Sequence, residues 1–308
     1  MSSVLTQLRE ASAAVAARSC HVRIDQDAIP SYARSLPLES PPASPAPEIH
    51  LLDGTREELA AFWLTLDAIN FGSGWFPTLR KRHGRSGYAT VAGGIRDRFD
   101  RAGPWSAAEL GRIEPPEIAQ GLGQDPRHEL MQLFALSLRD LGRRVEAEHG
   151  GSFVAVIDAA GDSAATLVSG LARWDCFSDT SRYDGLTLPF LKRAQIAAAD
   201  VARAGVASFT DLDCLTTFAD NLVPHVLRLD EILSFANHLV NRIDHGELIE
   251  HGSPEEVEIR ACAVHAVELI VAERPGSRAA DVDQLLWLHG QGPRYKASPR
   301  HRSRCTAY

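Results

Sequence analysis

The sequence predicts a mainly α-helical protein folded as one compact unit over residues 1–308. Three observations carry that expectation. Capped, amphipathic segments follow one another along most of the chain. Runs that alternate apolar and polar residues are almost absent. A chain of 308 residues with 44% hydrophobic content can bury a sizeable core.

Taken in order, residues 2–18 predict an amphipathic helix, and His21 to Ile24 a short extended piece. Asp27 is placed to cap a helix running to Leu36, and the five prolines between Ser35 and Pro47 predict a loop within an extended stretch over 20–47. Thr55 then caps a helix with Glu58 at the capping-box position and Leu59, Phe62, Trp63 and Leu66 as its buried stripe. Gly72, Gly74 and Pro77 end it, and the glycine-rich, basic segment 78–104 carries no clear period. Helices follow near Ser106–Arg112, Pro115–Gly121 and His128–His149, the last broken by Gly150-Gly151. Ser152 to Asp158 reads as a helix start or a short strand, and Ser163–Leu171 as a helix. Cys176 to Leu186 reads as a turn-rich connection. Leu188–Ala204 is an Ala-rich helix with proline in its first turn and Gly205 beyond its end. Further helices are expected over Leu212–Ala219, Pro224–Leu233, Ala236–Asp244, Ser253–Arg274 and Asp281–His289. Of these Ser253–Arg274 has the strongest start: Ser253 as N-cap, Pro254 at N1 and Glu256 completing a capping box. A basic tail over 290–308 is expected to pack on or near the domain.

Composition excludes several functions. No apolar run approaches the roughly 18–20 residues that span a membrane. Met1 to Arg18 lacks the apolar core of a signal peptide, so a cytoplasmic location is expected. A net charge of −8 speaks against broad binding to nucleic acid. Cys20, Cys176, Cys214, Cys262 and Cys305 are scattered and odd in number, which fits neither a disulfide framework nor a zinc site. No GxSxG, HExxH or Asp-rich cluster is present, and no metal or cofactor is expected.

The residues that can carry chemistry are charges in apolar company. Asp220 lies among Phe218, Ala219, Leu222 and Val223, just before Pro224. Two readings are open: a partly desolvated carboxylate that acts as a base, or an N-cap. Glu256, Glu258 and Arg260 begin a helix that is apolar all round; they form either a buried ion-pair network or, through Glu258, a ligand contact. Lys192 and Arg193 are either a phosphate site or a solvated helix face. In the run Asn70 to Pro77, glycines let a backbone approach a ligand closely, and Phe71, Trp75 or Phe76 can stack on a planar base unless they belong to the core.

Several segments also match one pattern in order: Leu66-Asp67-Ala68-Ile69-Asn70-Phe71, then Phe190-Leu191-Lys192-Arg193-Ala194-Gln195 through Asp200, Leu215-Thr216-Thr217-Phe218-Ala219-Asp220, Val223-Pro224, Glu256 to Arg260, and the tail Pro299 to Tyr308. Over about Val22 to the end, the chain resembles the queuosine salvage family, N-glycosylases that release queuine from queuosine 5'-phosphate. The resemblance implies a helical fold distantly like the helical DNA glycosylases, with Asp220 as the catalytic carboxylate. Its substrate would be a small modified nucleotide, and Asn70, Phe71, Trp75, Lys192, Arg193, Asn221, Glu258 and Arg260 are expected to bind it. The family usually continues its Phe-Ala-Asp motif with Tyr-Arg, where this chain has Asn221-Leu222. The rival expectations are a helical glycosylase acting on another purine in DNA or a nucleoside, and a non-catalytic nucleoside-binding protein.

Overall fold

A computed structural model describes residues 3–38 and 46–308. Among them, 15 α-helices and four three-residue strands account for the regular structure apart from short 3₁₀ turns. The first helix, α1 (Val4–Ala16), buries Leu5, Leu8 and Val15 and leads into β1 (Val22–Ile24) and α2 (Ile29–Ser35). Asp25, not Asp27, starts α2: its carboxylate accepts the Asp27 and Ala28 N–H groups at 3.1 and 3.2 Å. Within the expected proline loop, residues 39–45 lie outside the described residues.

The next helix, α3 (Arg56–Ala68), opens on the reciprocal Thr55–Glu58 capping box expected from the sequence. A 3₁₀ turn over Phe76–Thr78 and a 16-residue helix, α4 (Gly87–Ala102), then fill the segment that showed no period. Ser86 caps α4 through the Ala89 N–H, and its glycines serve close packing rather than looseness. A Cβ on Gly87 would lie 2.3 Å from the Phe76 ring, and one on Gly94 2.5 Å from Leu122. Next come α5 (Ala107–Leu110), α6 (Pro115–Leu122), α7 (Glu129–His149), α8 (Phe153–Asp158) and α9 (Ala164–Leu171). The turn-rich connection contains a hairpin, β2 (Ser181–Tyr183) and β3 (Leu186–Leu188), turned by Asp184-Gly185 with both φ values positive.

The helix expected from Leu188 begins only at Lys192: α10 (Lys192–Arg203). Leu191 before it is in the left-handed region, and Asp179 holds the entry by accepting the Lys192 N–H at 3.1 Å on its carboxylate. Only a 3₁₀ turn, Leu212–Cys214, forms where a helix to Ala219 was expected. Beyond it the chain is extended because buried side chains hold its backbone: Gln195 accepts the Thr216 N–H and Asp283 the Phe218 N–H. The rest comprises α11 (Val223–Leu229), β4 (Leu233–Phe235), α12 (Asn237–Asp244), α13 (Pro254–Ala272), α14 (Ala279–His289) and α15 (Pro293–Lys296). β4 pairs antiparallel with β1, Val22 opposite Phe235. At α13 the capping box is altered: Ser253 accepts the Glu256 N–H, but the Glu256 carboxylate reaches Gly252 N–H at 3.0 Å.

The apolar interior has two main parts. One gathers α3 to α10, and the other gathers α2, β1 and α11 to α14. The second is built around α13, which buries residues on every side and packs on α1, α2, α11 and α14. Among the described residues no helix is long and apolar enough to cross a membrane.

Candidate active site

Where the two parts meet, the extended segment 215–222 runs along a cavity. One wall comes from the end of α3 and from α10, with Asn70, Phe71, Lys192, Asp200 and Arg203. The opposite wall is α14, with Asp283, Gln284 and Trp287, closed by Arg300 and Tyr308 from the tail. Phe76 and Tyr88 line the side toward α4, and Phe218, Asp220 and Asn221 form the floor.

Asp220 is half-buried. Its Oδ1 accepts the Leu222 and Val223 N–H groups at 2.7 and 3.2 Å, so it does cap the start of α11. Its Oδ2 makes no hydrogen bond among the described residues. The cap reading of Asp220 therefore holds, and it uses one carboxylate oxygen only, in a residue that also lines the cavity. Behind it, Arg260 Nε donates to the Ala219 carbonyl at 2.9 Å and fixes the peptide that carries it.

Asp283 reaches the cavity from α14 and is buried. Its Oδ1 accepts from Thr217 Oγ1 at 2.5 Å and from the Phe218 N–H at 2.8 Å. Burial, and next the charge of Asp220, push its carboxyl up to about 7. Lys192 is buried opposite. Its Nζ donates to the backbone oxygen and Oδ1 of Asn70 at 2.9 and 3.1 Å. Desolvation lowers its pKa, opposed by the charges of Asp220 and Asp67. At the α3–α10 end, Asp200 pairs with Arg203 at 2.5 Å. Burial raises Asp67 and Asp200, and the charge of Asp200 raises Asp67 further. His50, held neutral by burial at about 4, meets the Tyr88 hydroxyl at 2.9 Å, and Tyr88 lies edge-on to Trp287 at 5.9 Å.

Of the residues expected from the sequence, Asp220, Asn70, Phe71, Lys192 and Asn221 come together around this cavity. The other four do not line it. Trp75 is buried beside the tail, its Nε1 donating to Glu129 at 2.7 Å. The glycines next to it admit protein rather than ligand: a Cβ on Gly74 would lie 2.4 Å from the Ser303 carbonyl oxygen. Arg193 is spent inside, donating to the Ala68 and Cys176 carbonyls. Glu258 ties down the N-terminal strand by accepting the His21 and Val22 N–H groups and the Tyr183 hydroxyl. Arg260 forms a two-bond pair with Asp179 at 3.0 and 2.6 Å, between the rings of Phe190 and Tyr308.

Sequence reasoning missed Asp283, Trp287, Tyr88, Asp200, Arg203 and Arg300. An acid beside Val282, Leu285 and Leu286 on a short helix, two residues after Asp281, was the available signal for Asp283. It is a weaker form of the signal that marked Asp220. Away from the cavity, His21, His238 and Glu255 bring one ligand atom each within 4.8 Å of one another at the surface, where Arg242 pairs with Glu255 at 3.5 Å.

The model of the family described as queuosine salvage protein matches residues 49–308. A queuosine 5'-phosphate N-glycosylase/hydrolase of Sphaerobacter thermophilus is 34% identical over 304 residues, spanning 93% of either chain. Proteins of the same name from Dictyostelium discoideum and Bos taurus are 29% and 28% identical. They span 97% and 72% of this chain, and 98% and 72% of their own.

Proposed function

The chain belongs to the queuosine salvage protein family, and on that premise we propose that its cavity hydrolyses the ribosyl C–N bond of queuosine 5'-phosphate to release queuine. The observation that carries this reading is the carboxyl pair. Asp220 offers an oxygen that makes no hydrogen bond among the described residues, while burial pushes the Asp283 carboxyl up to about 7. A carboxyl raised in this way beside a second carboxylate can serve as acid while its neighbour serves as base.

The C1'–N9 bond breaks with its electron pair going to the base, and positive charge grows on C1' and the ring oxygen, as in glycoside hydrolysis. The Asp220 carboxylate stabilises that charge and takes a proton from the water whose oxygen bonds to C1'. A 7-deazaguanine has no N7 to protonate, so the leaving base takes its proton at another edge atom, and the Asp283 carboxyl is the donor in reach of the floor. The sum is one water consumed, with queuine and ribose 5-phosphate formed. Tyr88 and Trp287 offer faces and edges for a planar base, together with Phe71.

The test is incubation with queuosine 5'-monophosphate and detection of free queuine by mass spectrometry, for the parent and for Asp220→Asn. Asparagine keeps the acceptor for Leu222 and Val223 but removes the charge, so kcat should fall on the order of 10²–10⁴-fold in a folded protein. A folded variant that turns over near the parent rate would reduce Asp220 to a helix cap.

A further inference from the structure

We propose that Arg300, contributed by the C-terminal tail, is the residue that binds the 5'-phosphate of the substrate. Three strongly basic side chains line the cavity: Lys192, Arg203 and Arg300. Two of them already have protein acceptors. Lys192 donates to both oxygens of Asn70, and Arg203 pairs with Asp200. Arg300 has no hydrogen bond or ion pair among the described residues, although it is half-buried at the cavity wall. A guanidinium in that position has five N–H donors in a planar fork that matches a phosphate. A bound anion would stabilise its charge there: burial disfavours the protonated form, Asp220 opposes that, and Arg302 adds to the effect of burial.

The backbone that carries Arg300 is held on both sides. The Asn221 amide donates to the His301 carbonyl at 3.1 Å, tying the residue after Arg300 to the residue after Asp220. The Arg228 guanidinium takes the Pro299 carbonyl on the other side at 2.9 Å. The backbone at Arg300 is thus anchored beside the segment that carries Asp220, whose charge acts on the guanidinium. In the nucleotide the phosphate is separated from C1' only by the ribose, so the two groups must be near one another. Lys192 and Arg193, the sequence-level choices for this role, are engaged with Asn70 and with buried carbonyls instead.

This inference rests on the reading that the substrate is a nucleoside 5'-phosphate, and the experiment separates the two. Ribose 5-phosphate, which lacks the base, is titrated calorimetrically into the parent, Arg300→Gln and Arg300→Lys. KM is measured in parallel for queuosine 5'-phosphate and for queuosine. The expected result is that Arg300→Gln weakens ribose 5-phosphate binding and raises KM for the 5'-phosphate by on the order of 10- to 100-fold. Arg300→Lys should lie between the two proteins, and KM for queuosine should be unchanged. Equal ribose 5-phosphate affinity in the parent and Arg300→Gln, or equal effects on nucleotide and nucleoside, overturns the inference. If neither queuosine compound is cleaved by the parent, yet ribose 5-phosphate binding depends on Arg300, the phosphate subsite stands and the choice of base has failed.

Discussion

Asp283→Asn should make the protein more stable above neutral pH while disabling it. The Asp283 carboxyl is raised from 3.8 to about 7 by burial and by the charge of Asp220. A folded-state pKa above the unfolded value means that the folded protein binds the proton more tightly. The stability contributed by that proton is complete below pH 3.8 and is lost as pH rises through about 7. A difference of about 3 pH units corresponds to about 4 kcal/mol, because one unit is about 1.4 kcal/mol. Of this, about 2 kcal/mol falls between pH 5.5 and 8. Asparagine cannot ionise, and its Oδ1 can still accept from Thr217 and Phe218. The stability of the variant relative to the parent should therefore climb by about 2 kcal/mol over that interval. Urea unfolding at several pH values, followed by far-UV circular dichroism, measures it. In the same range the parent kcat/KM should fall above about pH 7 as the acid is lost, and the variant should lack that limb while turning over far more slowly. A stability difference that stays flat from pH 5.5 to 8 would refute the reasoning, because Asp283 would then be ionised throughout.

Other variants test the assignments away from the chemistry. Arg260→Met should cost about 3–5 kcal/mol, since it leaves the buried Asp179 carboxylate without its two-bond partner; an unfolding midpoint within error of the parent would contradict that. Trp75→Phe should lose the bond to Glu129, worth about 1–3 kcal/mol for a charged acceptor, without changing queuine affinity. A calorimetric loss of queuine binding would return Trp75 to the site. Gly74→Ala places a Cβ 2.4 Å from the Ser303 carbonyl oxygen, so it should lower the melting temperature and raise KM by displacing the tail that carries Arg300 and Tyr308. Unchanged values for both would show that the tail yields without cost.

Helices whose starts are encoded within four residues were legible, as at Thr55 and Ser253, because the cap and its partner are neighbours in the chain. The elements that were misread depend on distant partners. Segment 212–219 has helical composition, yet Gln195 and Asp283 supply acceptors for its N–H groups and keep its second half extended. The Asp184-Gly185 turn did carry a hairpin signal, but three-residue strands are too short for alternation to register. The same division holds in the site. Asp220 was legible as an acid in apolar company, and so in principle was Asp283. Arg300 was not: the tail was expected to pack on or near the domain, but nothing local in a basic stretch says which of its cations the fold turns toward a cavity.

The acid–acid–base cluster at the start of α13 was the other prominent feature of the sequence, and its place in the fold explains why it accompanies Asp220. Arg260 lies at the centre of a buried network that touches both walls of the cavity. Its guanidinium pairs with Asp179, whose carboxylate also accepts the N–H of Lys192 and so sets the first turn of α10. Its Nε holds the carbonyl of Ala219, the peptide immediately before Asp220. Glu256 adds a second carboxylate at 3.7 Å; burial alone would raise its pKa, but His251 and Arg260 outweigh this and hold it at about 2. Tyr308 covers the guanidinium at 4.8 Å and also lines the cavity. One charged side chain on the central helix thereby fixes the carboxylate, the lysine opposite it and the tail that closes the site. A buried ion pair of this kind adds little net stability compared with an apolar replacement. Its contribution is positional. Asp179, Lys192, Ala219 and Tyr308 come from distant parts of the chain, and Arg260 is the group they share.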